Sequence, residues 1–389
     1  MIVGSPTVLG YRRQHAWGVR NHVLILPLRL AANLAAELIA EAVPPAVAVA
    51  HEWEGSADDP DTARIERSLC GFAANPNVAA VLAIGLFSDD QRLAETIGKL
   101  GQNVEFIALE DHHGIAGTVA AGTLVARALV AAAAGYAREP FSAAELVLGL
   151  ECGGSDSWSG ISANPALGVA SDLLIAAGGT SILAETTELI GAEHILAARS
   201  VDEVTAKQLL QSVHGFEWEL RDLGVDIRGA QPTPGNIEGG LTTLEEKSLG
   251  AIKKAGNAPL VGVLEFAARP TAHGLHFMDT PGQDIEQMVA MVAGGCQLVA
   301  FTTGRGTPTG SPVAPCLKIG STTGVYTRQA GDIDVDAGAI LDGRETVESM
   351  GIRIFAELLE VASGKLTSAE RRGQHDFAIS RTHPLGTAT

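Results

Sequence analysis

Leu150-Glu151-Cys152-Gly153-Gly154-Ser155-Asp156 lies near the middle of the chain, where the apolar run 144–150 ends. The run predicts a short buried strand. The polar residues after it combine two carboxylates, a thiol and a hydroxyl with two adjacent glycines, which permit a sharp turn and a close approach to a ligand. Open α/β sheets place their binding sites where strands end in such loops. The alternative is a tight turn in which Ser155 and Asp156 cap the next helix.

Composition narrows the class of protein. A chain of 389 residues predicts two domains, or one domain with a large extension. The hydrophobic fraction of 46% is enough for a sizeable core, and only 4% aromatic residues beside abundant Ala and Gly favour closely packed helix-on-sheet layers. A formal net charge of −18 argues against nucleic acid and anionic membranes as partners. A small anionic substrate remains compatible with a local basic pocket.

The cysteines indicate a reducing compartment. Cys70, Cys152, Cys296 and Cys316 lie far apart and form no CxxC pair, and no secretory leader precedes them. We therefore expect a cytoplasmic protein. No uncharged apolar run reaches the roughly 18 residues that a membrane span requires, so no span is expected.

Strands and helices alternate on both sides of the central motif. The expected strands before it cover 23–28, 47–50, 78–84 and 106–109, and those after it cover 181–185, 260–266 and 297–301. This spacing predicts an α/β fold of two stacked units, with mainly parallel sheets flanked by helices. We place the first domain at 1–140. The second covers 141–389 and includes a polar tail from about 366.

Two histidine clusters follow strands of the first unit. His51-Glu52-Trp53-Glu54 and His112-His113 offer imidazoles for metal binding or proton transfer. The alternative is that each histidine is a hydrogen-bonded structural residue. The sequence contains no HExxH or CxxC signature of a zinc site.

The stretch Thr302-Thr303-Gly304-Arg305-Gly306 has the composition of an anion cradle. Thr hydroxyls, backbone N–H groups and one guanidinium suit a carboxylate or a phosphate. An ordered surface loop is the alternative. In 332–336, acidic and apolar residues alternate, which predicts carboxylates on one strand face that is solvated or bound to a cation. The sequence has no GxxxxGK[ST], GxGxxG or GxSxG, so P-loop, nicotinamide-dependent and α/β-hydrolase functions have little support.

Taken together, these stretches resemble the altronate/galactarate dehydratase family over nearly the whole chain. Besides the central motif, the matching stretches are Gly10-Tyr11-Arg12-Arg13, Gly18-Val19-Arg20-Asn21, Asn75-Pro76-Asn77, 162–168, Glu185 with 190–194, Pro234-Gly235-Asn236, 239–250, 277–282 and 301–306.

The resemblance implies a hydro-lyase that removes water from a sugar acid such as altronate or galactarate, giving a 2-keto-3-deoxy acid. It also implies a divalent metal, Fe2+ or Mn2+. The expected catalytic residues are Glu151, Ser155, Asp156, His112 and His113. The expected substrate-binding residues are Arg20, Asn21, Asn164, Asn236, Lys247, Thr302, Thr303 and Arg305. The expected metal ligands are His51, Asp89 and His112.

This sequence departs from the family pattern in two ways. The small β-rich N-terminal domain of many members is missing, so we expect a separate small subunit to supply it. Three family cysteines are replaced by Ala31, Ser56 and Ser88, and Cys152 alone is kept. Alanine and serine cannot replace thiolate ligands, so we expect no iron–sulfur cluster.

The expected partners are a small hydroxy-carboxylate and further copies of the chain in a homo-oligomer. Two other functions stay open. The chain can be the large subunit of an enzyme similar to sulfolactate sulfo-lyase, which eliminates sulfite. It can also be a non-catalytic sugar-acid-binding subunit that has lost the thiolate site.

Overall fold

The structure is a computed structural model that describes residues 5–55 and 61–382. Its strands are β1 (Thr7–Arg12), β2 (Trp17–Gly18), β3 (His22–Pro27), β4 (Val47–Ala48), β5 (Val78–Gly85), β6 (Val104–Ala108), β7 (Glu139–Ser142), β8 (Val147–Cys152), β9 (Thr180–Leu183), β10 (Leu260–Leu264), β11 (Gly274–Met278), β12 (Leu298–Thr303), β13 (Cys316–Gly320) and β14 (Val335–Asp336).

The α-helices are α1 (Asn33–Ala42), α2 (Thr62–Ala73), α3 (Gln91–Lys99), α4 (Ile115–Ala133), α5 (Ala163–Ala176), α6 (Glu193–Ala197), α7 (Glu203–Asp222), α8 (Ile227–Ala230), α9 (Pro234–Glu238), α10 (Leu244–Ala251), α11 (Asp284–Ala293), α12 (Thr323–Arg328), α13 (Val347–Ala362) and α14 (Ser368–Arg372).

The first unit is built on a parallel four-stranded sheet in the order β4-β3-β5-β6. Its central strands β3 and β5 are almost entirely buried because helices cover both faces. Helices α1 and α4 pack on one face, and α2 and α3 pack on the other. The four strands expected before the central motif are all present.

The second unit is built on a parallel seven-stranded sheet in the order β10-β11-β9-β8-β12-β13-β14. The strand that leads into the central motif, β8, is the middle strand. Helices α5 and α13 cover one face, and α11 covers the other. The predicted α/β fold with two mainly parallel sheets is confirmed.

A small antiparallel sheet in the order β2-β1-β7 joins the N-terminus to the start of the second unit. The rings of Trp17 and Phe141 stack on it with centroids 4.9 Å apart. The expected domain boundary at residue 140 falls within β7. The expected polar tail contains α14, where Ser368 and Ala369 are buried.

Two asparagines and one glycine fix the units against each other. The Asn75 amide donates to the carbonyl oxygens of Val292 (2.8 Å) and Cys296 (2.9 Å). The Asn77 amide likewise donates to two carbonyl oxygens of the second unit. At Gly71 on α2, a Cβ atom would lie 2.7 Å from the Ala293 oxygen, so only glycine allows this approach of α2 to α11.

Helix α4 alone, within the part of the chain that the structure describes, is long and apolar enough to cross a membrane. It contains Arg127, and its residues Ala126, Leu129 and Ala133 are buried on the four-stranded sheet. The fold thus uses α4 as a covering helix of the first unit.

The acidic stretch 332–336 forms only the short strand β14. Asp334 accepts hydrogen bonds from the backbone N–H groups of Lys318 (2.9 Å) and Ser368 (2.7 Å). Its carboxylate therefore anchors the chain between β13 and α14, rather than standing on a solvated strand face.

Candidate active site

A cavity of about 370 Å³ opens at the carboxyl ends of four neighbouring strands, β11, β9, β8 and β12. This is the edge at which parallel α/β sheets bind their ligands. The residues that line it are Cys152, Gly153, Gly154, Ser155, Glu185, Glu188, Gln231, Thr233, Gly235, Asn236, Lys247, Gly282, Asp284, Arg305, Gly306 and Thr307.

The two glycines of the central motif shape the floor of the cavity. A Cβ atom on Gly153 would lie 1.9 Å from the Asp284 Oδ2 atom, so glycine is what lets that carboxylate approach the end of β8. Gly154 has a φ of +60°, in the left-handed region that favours glycine. The turn therefore brings together a strand end and a carboxylate from α11.

Lys254 lies beneath the cavity in a fully buried ionic cluster. Its Nζ atom is 2.9 Å from Cys152 Sγ and 2.9 Å from Glu188 Oε2. Burial alone would lower the pKa of Lys254, but its acidic neighbours raise it well above its usual value. Burial and Glu188 raise the pKa of the Cys152 thiol. The geometry thus holds an ammonium ion against a carboxylate and a neutral thiol.

Lys247 carries a second positive charge into the cavity. Its Nζ atom lies 3.8 Å from Glu185 Oε1 and 3.8 Å from Glu188 Oε1, and it donates to Gln231 Oε1 at 3.3 Å. Its side chain is 10% exposed, whereas that of Lys254 is 1% exposed. Lys247 is therefore the lysine of this pair that a bound ligand can reach.

The two glutamates beside Lys247 differ in protonation. Burial and then the negative charge of Glu188 raise the pKa of Glu185 to about 7. Burial would also raise the pKa of Glu188, but Lys254 and Lys247 lower it on balance. Glu188 is therefore the fixed anion of the pair, while Glu185 can exchange a proton near neutral pH.

The backbone at Glu185 is held in an unusual conformation. Its φ of +76° lies in the left-handed region, which non-glycine residues rarely adopt and which is common at functional sites. The Glu185 N–H group donates to Thr280 Oγ1 at 2.7 Å. The side-chain oxygens accept from Thr187 Oγ1 (2.8 Å) and Gln287 Nε2 (3.1 Å). These bonds fix the carboxylate where the loop after β9 faces the cavity.

Glu151 is buried behind the cavity and does not line it. It is 1% exposed, and neither carboxyl oxygen has a hydrogen-bond partner among the described residues. Burial raises its pKa well above the usual value, although Lys254 opposes this effect. A neutral carboxyl group is the form that such a position tolerates.

Four of the residues expected from sequence line the cavity, namely Ser155, Asn236, Lys247 and Arg305. The Asn236 amide donates to the Ser155 carbonyl oxygen at 2.9 Å. Arg305 stands at the rim, where its side chain is 42% exposed and lies 2.8 Å from Glu238 Oε2. Its other terminal nitrogen donates to the Gly235 carbonyl oxygen at 2.7 Å.

Four expected site residues close to the motif serve the local structure instead. Asp156 accepts two hydrogen bonds from Ser159, at 2.8 Å and 2.7 Å, and one from Ser321 at 2.9 Å. Thr302 donates to Asn164 Oδ1 at 2.6 Å. Thr303 caps its own loop, because its hydroxyl oxygen accepts hydrogen bonds from two backbone N–H groups.

Arg20 and Asn21, expected to bind substrate, make structural contacts instead: Arg20 connects the two units, and Asn21 bonds within the first unit. Arg20 forms two bonds to the Glu370 carboxylate, at 2.6 Å and 2.8 Å, and donates to three carbonyl oxygens. The Asn21 amide donates to the Ala133 carbonyl oxygen at 2.8 Å. Every one of these groups already has a partner within the chain, and neither residue lines the cavity.

The expected metal ligands lie at the carboxyl edge of the other sheet. Both ring nitrogens of the buried His51 are used, one bonding the Pro27 oxygen (2.8 Å) and one accepting from Trp53 N–H (3.2 Å). Asp89 and His113 are exposed, and His112 is half-buried. Across residues 5–55 and 61–382, no group of three or more His, Cys, Asp or Glu side chains is arranged to hold a metal ion. The structure therefore does not assemble His51, Asp89 and His112 into a site.

The cavity contains some of the donor types that would suit the divalent metal implied by the family resemblance. Cys152, Glu188 and Glu185 are suitable donor types, but two lysine ammonium groups already contact them. A divalent cation placed among these donors would be repelled by Lys247 and Lys254. The donor set therefore does not fit such an ion.

Four charged residues in and below the cavity were not identified as site residues from the sequence, namely Glu185, Glu188, Lys254 and Asp284. The position of Glu185 at the end of a predicted strand, within a family motif, was a usable signal. Glu188 and Asp284 follow strands β9 and β11 by several residues, and Lys254 belongs to a helical segment far along the chain. Only packing brings these three to the end of β8.

The sequence matches two family models. One, described as D-galactarate/Altronate dehydratase, C-terminal, covers residues 143–385. The other, described as D-galactarate dehydratase/Altronate hydrolase, second domain, covers residues 10–134.

Several known proteins are similar to this chain. The (2R)-sulfolactate sulfo-lyase subunit beta of Chromohalobacter salexigens is 36% identical over 98% of this chain and 99% of its own length. The altronate dehydratase of Bacillus subtilis is 33% identical over 97% of this chain and 78% of its own length. The galactarate dehydratase (L-threo-forming) of Escherichia coli is 42% identical over 64% of this chain and 48% of its own length.

Proposed function

Because the chain belongs to the D-galactarate/altronate dehydratase family, we propose that it is a lyase that eliminates water from a sugar acid, giving a 2-keto-3-deoxy acid. The substrate is a polyhydroxy acid similar to altronate or galactarate. The observation that carries the proposal is the cavity at the end of β8, where Glu185, with a pKa of about 7, faces the ammonium group of Lys247.

The residues of the cavity have the chemistry that this elimination requires. The Glu185 carboxylate takes the proton from the carbon next to the substrate carboxylate, and the electron pair of that C–H bond forms an enediolate. Lys247 faces the developing negative charge. The neighbouring C–O bond then breaks, and the hydroxyl leaves as water with a proton from Asp284, whose pKa burial and Glu188 raise. The resulting enol becomes the keto acid by moving one proton.

A panel of substrates tests this proposal. Purified protein is incubated with aldonic and aldaric acids, with and without Fe2+, Mn2+ or Mg2+, and 2-keto-3-deoxy product is measured. We expect turnover of one or a few related stereoisomers. Tight binding of a sugar acid without any turnover would instead favour a non-catalytic binding subunit.

A second candidate is sulfite elimination from a sulfolactate-like acid. It is favoured by the similarity to a sulfo-lyase subunit beta over nearly the full length of both chains. The same base and ammonium group would serve, since only the leaving group changes. Release of sulfite from sulfolactate, together with no product from sugar acids, would favour this candidate.

The assembly and location that go with this function are also proposals. The name subunit beta of one relative supports a partner subunit beside this chain, and we propose that this partner is the small β-rich subunit. We further propose that the chain forms a homo-oligomer and works in the cytoplasm. Copurification from the native host, followed by mass spectrometry of the intact complex, would test the subunit composition.

Replacing Arg305 with alanine is expected to raise KM by about 10- to 100-fold, because a charge-assisted hydrogen bond to a carboxylate contributes about 1.5–3 kcal/mol. The free energy of unfolding should change by no more than about 0.5 kcal/mol, since the side chain is at the rim. Steady-state kinetics and urea denaturation check both values. Arg353→Ala, on an exposed part of α13, is the matched control. Parallel losses of stability and activity in the Arg305 variant would contradict an anchoring role.

A further inference from the structure

We propose that this chain carries out its elimination without a bound transition metal, and that Lys247 gives the substrate the positive charge that a divalent ion would otherwise supply. Lys254, beneath the cavity, is a positioning residue that keeps Glu188 and Cys152 in place. The reaction in this inference rests on the proposed function, whereas the place of the two lysines among the donors is read directly from the structure.

The contacts of Lys254 are those of a cation within its ligand set. Its Nζ atom lies 2.9 Å from a thiol sulfur and 2.9 Å from a carboxylate oxygen, and the side chain is 1% exposed. Cys152 and Glu188 would be natural ligands for a soft or borderline metal ion. Here their polar atoms face a buried ammonium group instead, and displacing it would leave an unpaired charge in the interior.

Lys247 supplies the second ammonium group of the cluster, on the side that faces the cavity. It lies between Glu185 and Glu188, at 3.8 Å from each, and it is the more accessible of the two lysines. An ammonium group in this position can pair with a substrate carboxylate or with an enediolate oxygen. Glu185 and Glu188 raise its pKa although burial alone would lower it, and Glu188 remains an anion when Glu185 takes up a proton.

A second side-chain cation lies at the carboxyl edge of the first sheet. Two of the three altered family cysteine positions, Ala31 and Ser88, lie at its carboxyl edge. The third, Ser56, lies outside the described residues. At the same edge, the Arg29 guanidinium bonds to Asp90 (2.8 Å) and to the carbonyl oxygen of Gly55 (3.0 Å). Here too a side-chain cation occupies the edge where the family pattern would put thiolates.

Direct metal binding tests the inference without relying on activity. The full chain, with any copurifying subunit, is dialysed against EDTA, titrated with Mn2+ and followed by the electron paramagnetic resonance of free Mn2+. Anaerobic titration with Fe2+ and metal analysis of the purified protein accompany it. We expect well under one metal ion per chain and no visible absorbance from an iron–sulfur cluster.

One metal ion per chain, lost on substituting Cys152→Ser or Asp284→Asn, would overturn the inference. Metal that remains bound in both variants lies elsewhere, and it supports the inference if EDTA leaves turnover unchanged. If EDTA abolishes turnover and added Fe2+ or Mn2+ restores it, the inference is also overturned. The proposed elimination would stay intact. If no substrate is turned over, the proposed function fails and the Mn2+ titration still decides the question of metal binding.

A lysine variant supplies the kinetic part of the test. Lys247→Met is expected to lower kcat/KM by about 10²–10³-fold, the cost of removing one electrostatic stabiliser. Added Mn2+ or Fe2+ should not restore activity, whereas Lys247→Arg should retain a substantial part of it. Lys253→Met, at an exposed neighbouring position, is the matched control. Recovery of the Lys247→Met variant by a metal ion would contradict the inference.

Discussion

Replacing Glu185 with glutamine is expected to lower kcat/KM by about 10²–10⁴-fold, the usual contribution of a general base. The fold should survive, because glutamine keeps the shape: its oxygen can still accept from Thr187, and its NH2 group can donate to Gln287 Oε1, which has no partner among the described residues. The wild-type profile of kcat/KM should rise with pH through an acid limb near 7, since burial and Glu188 raise the pKa of Glu185 to about 7. Steady-state rates across pH 5–9 measure both effects.

The same substitution lowers activity, but it should raise the free energy of unfolding relative to wild type as pH rises. The folded protein holds a proton on Glu185 between pH 4.5 and about 7 that the unfolded chain releases, so this group favours folding less as pH rises through that window. Glu185→Gln removes this dependence. Urea denaturation should therefore show the variant gaining stability relative to wild type from about pH 5 to pH 8.

A matched control separates the cavity from general effects of losing a carboxylate. Glu348→Gln, at an exposed position in the first turn of α13, should leave both the rate and the pH profile unchanged. If Glu185→Gln keeps full activity, or if the acid limb stays at the same pH when activity falls slightly, another group is the base.

Replacing Arg20 with alanine is expected to cost about 3–5 kcal/mol of the free energy of unfolding, as breaking a buried ion pair does. Arg20 is 6% exposed, and its guanidinium connects Glu370 on α14 with carbonyl oxygens in and beyond α13. The protein that folds should keep its KM, because this side chain lies outside the cavity. Urea denaturation and steady-state kinetics give the two values.

The pH dependence identifies the cause of that loss. Burial would raise the pKa of Glu370, but Arg20 lowers it on balance below its usual value. The pair therefore stabilises the fold above pH 4.5 and stops doing so as pH falls below that value, so the difference between Arg20→Ala and wild type should shrink in acid. Arg12→Ala, exposed on β1, serves as the control. A raised KM with unchanged stability would return Arg20 to the substrate-binding residues.

The sequence alone determined the fold class, and it pointed to the stretch at the end of β8 that lines the cavity. Apolar runs of strand length followed by helical periodicity predicted parallel sheets, because such strands must be covered on both faces. The glycines of 153–154 marked a strand end where a ligand can approach, and β8 proved to be the middle strand. Ser155, Asn236, Lys247 and Arg305, which the sequence analysis named as site residues, line the cavity.

Only the tertiary structure decided which charged residues meet. Lys254 is separated from Cys152 by about a hundred positions, and no local pattern links them. Conversely, Arg20 and Asp156 have the chemistry of binding residues, but partners within the chain use their polar atoms. The physical reason is that strand and helix formation depend on short-range periodicity, whereas charge pairing depends on the crossing of segments distant in sequence. The central motif was therefore readable from the chain itself, and the cations that surround it were not.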